Sequence, residues 1–225
     1  MSKRFYIDEY FKRWHRDVAR TKELIDGKRH YLEGVLALSC YLGALGAMRY
    51  PTLRDGEAYV KVVLEYSGKR DFYEQVDLLF FLQWPRSKLN DHGSYKELKN
   101  HTEIAAALTK VYGSEDDVKA KTRYVSRADV IRHATEAKIV GFNEQNLRDK
   151  LPLFSLHELV YRYLRCDAVH NADFPFINEC TDVKGNVEYE ENHAITAKVL
   201  LETVDSIIAN LREECTKAGK WPYQL

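Results

Sequence analysis

Apolar residues recur at three- and four-residue steps along most of this 225-residue chain, a period that belongs to the α-helix. Phe5, Tyr10, Phe11, Trp14, Val18 and Leu24 mark the first such segment, over 5–26, with Gly27 as its stop. The most apolar stretch, 29–49, ends before Pro51 and predicts a buried core helix. Within it Ser39, Gly43, Ala44, Gly46 and Ala47 supply small side chains where another helix can approach closely. Core packing and a seam between two copies would both use them.

Further helices are expected over 57–67, 71–83, 95–112, 126–139 and 143–150, with a last one over about 193–215. Ser67-Gly68-Lys69 separates the first pair, Trp84-Pro85 stops the second helix, and 86–94 reads as a loop. Gly113 ends the third, and Ser114-Glu115-Asp116-Asp117 has the residue types of an N-terminal cap for the segment after it. Residues 173–192, with Pro175 and Val183-Lys184-Gly185-Asn186-Val187, predict a small β-hairpin or ordered loop. The expected fold is all-α: a helical bundle with a short irregular or β-hairpin insertion before the last helix, in a single domain over 1–225. No repeat is visible, and 86–94 is the one conceivable break.

Composition narrows the function classes. Lys+Arg and Asp+Glu both total 34, so no global positive field recruits nucleic acid, and any such contact must come from a local patch. Basic residues gather in the first 30 positions and over 119–138, whereas the insertion is acidic. Solvated helix faces account for most such runs. Four well-separated cysteines (Cys40, Cys166, Cys180, Cys215) suit reduced thiols better than a disulfide scaffold or a zinc module. The charged N-terminus has no signal-like apolar core, and the longest uncharged run, Gly34 to Met48, falls short of the roughly 20 residues that span a bilayer. A cytoplasmic protein without membrane partners is expected.

Most familiar catalytic signatures are missing. The sequence has no Gly-rich phosphate loop, no dinucleotide fingerprint, no H-E-x-x-H and no nucleophile elbow. None of its eight histidines forms an i, i+4 pair, so neither a metal site nor a cofactor is expected.

The informative segment is 156–171. Ser155 with Glu158 three residues on has the spacing of a capping box. On a wheel of about 100° per residue, Leu156, Leu159, Val160, Tyr163 and Leu164 form a buried stripe. Arg165 falls near the opposite pole, with His157, Glu158, Tyr161 and Arg162 around it. Asp167 would turn into the core, so the helix should bend or end near Cys166, leaving His170 in or beyond the last turn.

An arginine and a histidine so placed suit chemistry on a phosphodiester. A guanidinium grips phosphate oxygens and stabilises charge developing on them. Histidine, with an ordinary pKa of about 6.5, exchanges protons near neutrality. RNA brings its own nucleophile, the 2′-hydroxyl, so scission needs no metal. The residues alone favour a plainer reading that is just as simple: Arg165 pairing with a carboxylate on a neighbouring helix, and His170 capping a helix end.

Arg165-Cys166-Asp167-Ala168-Val169-His170, late in an amphipathic helix of an all-α chain, resembles the R-x(4–6)-H motif of the HEPN superfamily. It departs from the commonest pattern at Cys166, where Asn, Asp or His usually comes after the Arg. It also lacks the His-x-Tyr continuation of the toxin subgroup that pairs with a nucleotidyltransferase. The resemblance implies a helical domain, often dimeric, acting as a metal-independent endoribonuclease in toxin or defence systems. It assigns Arg165 to the scissile phosphate and His170 to general acid/base work, in a composite site where two protomers meet. RNA and a second copy are the implied partners, with an antitoxin or regulatory protein beside them. Tyr161 and Arg162 are candidate base-stacking and phosphate contacts, Asp167 a residue that fixes Arg165, and Asn171 one that orients His170. The alternative is a non-catalytic helical module binding RNA, a nucleotide or a protein through the same face.

Overall fold

The structure, a computed structural model, describes residues 2–27, 30–84, 98–171 and 174–225. Its elements begin with helices α1 (Lys3–Asp26), α2 (Tyr31–Arg49), α3 (Asp55–Tyr66) and α4 (Arg70–Tyr73). After them stand strand β1 (Val76–Asp77), α5 (Leu78–Gln83), α6 (His101–Tyr112), α7 (Glu115–Lys121) and strand β2 (Tyr124–Val125). Next come α8 (Arg127–Glu136), α9 (Glu144–Lys150), a 3₁₀ turn (Leu151–Phe154), α10 (Leu156–Leu159), a π-helix (Val160–Asp167) and α11 (Ala168–Asn171). The hairpin β3 (Ile177–Thr181)–β4 (Val187–Glu191) precedes α12 (Ala197–Ala218). The fold is thus mainly helical with a β-hairpin before the last helix, as the periodicity predicts. The expected loop 86–94 and the start of the helix expected from 95 lie outside the described residues.

The chain forms two compact units, Met1–Arg70 with Val160–Leu225, and Asp71–Leu159. In the first, α2 is the central helix, packed by α1, α3, α12 and the π-helix. Its residues Val35, Leu38, Leu42 and Leu45 are buried, as are Ile7, Phe11 and Val18 of α1 and Leu200, Val204, Ile207 and Leu211 of α12. Among the described residues α2 is the one helix long and apolar enough to cross a membrane by composition, and half of that stretch is buried in the fold. Its small residues divide: Ser39, Gly43 and Gly46 face the core, while Ala44 and Ala47 are exposed. A Cβ on Gly46 would stand 2.8 Å from the Ala58 carbonyl oxygen, so that glycine sets the distance between α2 and α3.

Helix ends obey local chemistry. Gly219 stops α12 in a left-handed turn (φ 62°), which glycine adopts without a Cβ clash. Ser114, Ser126 and Thr196 cap α7, α8 and α12, each side chain accepting a backbone N–H three residues on. The N-terminal charges are largely solvated pairs one turn apart, such as Lys12 with Asp8 and Lys22 with Asp26. The four cysteines are free thiols, Cys215 buried and Cys40 and Cys180 exposed.

In the second unit the helix expected over 71–83 is broken. Val76 and Asp77 leave helical geometry to pair antiparallel with Val125 and Tyr124. Gln75 gives its carbonyl to the Leu156 N–H at 2.9 Å, and the Leu78 N–H goes to the Arg123 carbonyl at 2.8 Å. Asp77 restarts the helix by accepting from the Phe80 N–H at 3.1 Å. The helix expected from 95 has residues 98–100 outside it, because Asn100 sits in the left-handed region at φ 56°. Around these elements Phe81, Phe154, Val76, Ile104, Leu108, Val118, Val130 and Leu147 form the core.

Candidate active site on the π-helix

Residues 160–167 form a π-helix, where a regular α-helix was expected. The stripe Leu156, Leu159, Val160, Tyr163 and Leu164 is buried, as the wheel predicts. The polar face is where the wheel fails. A five-residue step turns a side chain by about 140° in an α-helix. A π turn, with its i→i+5 bonds, turns it much less. Arg165 therefore comes round toward the side of the buried Val160 instead of pointing away from the core. Its side chain is 23% exposed and pairs with Asp55, Nη2 to Oδ2 at 3.4 Å. Its Nε lies 3.5 Å from where a Cβ on Gly43 would stand, and is buried without a hydrogen-bond partner. Arg165 is covered on one side, yet not sealed in the core.

Tyr161 joins the same carboxylate, its hydroxyl donating to Asp55 Oδ2 at 3.3 Å. Its ring packs at 5.3 Å from that of Tyr59, a fully buried residue. Burial pushes the Tyr161 phenol up to about 12, and the Cys166 thiol and the Asp55 carboxylate beside it act in the same direction. This hydroxyl therefore stays protonated at neutral pH and serves as a donor.

The segment expected to bend or end near Cys166 changes there from π to α geometry and continues as α11, whose last turn carries an exposed His170. Among the described residues it makes no hydrogen bond or ion pair with Arg165. Arg162 and Asp167 are half-buried, each already engaged in an interaction. Asn171 closes α11. Asp55 therefore gathers Arg165 and Tyr161, and among the described residues no hydrogen bond or ion pair ties His170 to either of them.

His157 departs furthest from its expected place. Expected on the polar face, it is 4% exposed, with Nε2 against the Arg127 guanidinium and Nδ1 without a partner. Burial, with the neighbouring Arg127 charge, pushes its pKa down to about 3, so it is neutral. The Ser155 hydroxyl accepts from Arg127 Nε at 3.0 Å.

Asp55 is the residue that sequence reasoning missed. It sits about 110 positions from the motif at the start of another helix, and an acidic residue in a first turn is ordinary there. Gly56, beside it, was the available hint: a Cβ there would stand 2.7 Å from the Tyr161 ring. Among the described residues, no group of three or more His, Cys, Asp or Glu side chains is arranged to hold a metal ion. In comparison with known proteins, no family model, no curated protein and no solved structure matches this chain.

Proposed function

We propose that this chain is a metal-independent endoribonuclease of the HEPN type that works as a homodimer in the cytoplasm, in a toxin or defence role. The observation that carries this reading is a surface-reaching guanidinium, Arg165, followed five residues on by an exposed imidazole, His170, on the same continuous helical segment. Arg165 would hold the scissile phosphate and stabilise the charge on its oxygens as the 2′-oxygen attacks. One His170 would take the 2′-hydroxyl proton while its symmetry mate protonates the departing 5′-oxygen. The products are a 2′,3′-cyclic phosphate and a 5′-hydroxyl, with atoms and protons balanced and no cofactor consumed. A second copy would supply that second imidazole, its own His170 being exposed in the same way.

Labelled single-stranded RNA incubated with the protein and EDTA should be cut, and Arg165→Ala or His170→Ala should reduce cutting by at least about 100-fold. Both variants should keep the wild-type melting temperature within a few degrees. Undiminished cutting in either variant removes the site assignment. Sedimentation velocity should show a dimer.

One observation favours a second reading. The Arg165–Asp55 pair is the intramolecular ion pair that a non-catalytic module would have. Binding of the same RNA without cleavage products over long incubation would select that reading.

A further inference from the structure

We propose that Asp55 is the positioning residue of this site, holding Arg165 and Tyr161 in register through one carboxylate oxygen. The inference rests on reading Arg165 as the phosphate-binding group. Asp55 Oδ2 faces Arg165 Nη2 at 3.4 Å in an ion pair and accepts the Tyr161 hydroxyl at 3.3 Å. Nothing else among the described residues orients that guanidinium, because its Nε is buried over Gly43 with no acceptor. A planar fork with one edge against a glycine backbone and one nitrogen on a carboxylate has lost most of its rotational freedom. The Nη1 side is what remains for a phosphate oxygen.

The surroundings are built to allow this. Asp55 stands in the first turn of α3, where the helix dipole favours a negative side chain. Gly56 leaves the space that the Tyr161 ring fills, 2.7 Å from where a Cβ would be. The buried Tyr59 backs the ring from the same helix. Asp55 of α3 and Gly43 of α2 thus meet Arg165, while Gly56 and Tyr59 of α3 seat the Tyr161 ring that shares its carboxylate.

Asp55→Asn and Asp55→Glu separate positioning from a merely structural role. In the RNA assay with EDTA, Asp55→Asn should lower kcat by about 10- to 100-fold with KM changed less than about 3-fold, as expected when a bound group is misaligned. Asp55→Glu, which restores the carboxylate, should recover most of that loss. Without RNA, the Arg165 Nε–Hε signal in a ¹H–¹⁵N spectrum, assigned by its absence in Arg165→Lys, should shift and broaden in Asp55→Asn and return in Asp55→Glu. An unmoved signal, or cleavage by Asp55→Asn at or above the wild-type rate, overturns the proposal. If the wild-type protein cuts no RNA, the endoribonuclease reading fails by itself, and the Arg165 signal still decides whether Asp55 holds the guanidinium.

Discussion

Gly46 and Gly34 both lie on α2 and both face the core, yet replacing them should have unequal consequences. A Cβ on Gly46 meets the main chain of Ala58 and Tyr59 at 2.8–3.0 Å, and backbone cannot step aside without parting α2 from α3. A Cβ on Gly34 meets Ile25 Cγ1 at 2.5 Å, a side chain on a half-buried residue that can shift at the cost of a less favoured rotamer, with the nearest main-chain atom, the Thr21 oxygen, at 3.4 Å. Alanine gains roughly 1 kcal/mol of helix propensity at either position. Overpacking against fixed backbone costs about 1–3 kcal/mol. Gly46→Ala should therefore lose stability in urea unfolding and Gly34→Ala should lose less. An equal or larger loss in Gly34→Ala would contradict this account of the α2–α3 contact.

Among the elements, two segments depart from the periodic pattern. Residues 71–83 carry a helical pattern of apolar side chains, but Val76 and Asp77 exchange helical bonds for a ladder with β2. The reward is the Asp77–Arg123 pair, with Nε to Oδ1 at 3.1 Å and Nη2 to Oδ2 at 2.8 Å, around a carboxylate that is 1% exposed. Asp77 also caps α5. Asp77→Ala removes the cap and leaves a largely covered guanidinium without its carboxylate, so a loss of about 3–5 kcal/mol is expected. A loss below about 1 kcal/mol by chemical denaturation would mean that water replaces the carboxylate without penalty. The π-helix is the other departure. No residue in Val160–Asp167 is a glycine or proline that would announce it, and its effect on Arg165 is a rotation that the α-helical wheel cannot represent. Stretches of this kind are rare and recur at functional sites, in keeping with the role proposed for Arg165.

For the molecule as a whole, pH is the condition to which the buried histidines answer. His157 is neutral in the folded state, its pKa lowered to about 3, whereas an unfolded histidine titrates near 6.5. Above about pH 6.5 both states are neutral and the residue contributes no pH dependence. As pH falls below that value the unfolded chain binds the proton first, so stability should drop, by up to about 1.4 kcal/mol per pH unit. His101 is also lowered by burial and works in the same sense. Melting temperature should therefore decline between pH 6.5 and 5, before most carboxylates titrate, and His157→Gln should flatten that decline. A flat wild-type profile over this range would show that His157 is hydrated or protonated in the folded state. Surface ion pairs such as Arg132 with Asp129 contribute little to this balance, since exposed pairs are worth about 0–1 kcal/mol.

The helical character, most helix ends, the buried α2 and the hairpin between 173 and 192 were legible in the sequence because they are short-range. Apolar spacing, the Ser114 cap and the Gly27 and Gly113 stops act within a few residues of themselves. The same reasoning singled out Arg165 and His170 and placed His170 at the end of its helix. What the tertiary structure alone decided is where the polar side chains went. Asp55 met Arg165 and Tyr161 across about 110 residues, His157 was drawn inward beside Arg127, and Val76-Asp77 became a strand because a partner edge was there to receive it. A hydrophobic stripe marks which face of a segment turns inward, but a charge takes its place from partners that the local sequence does not contain.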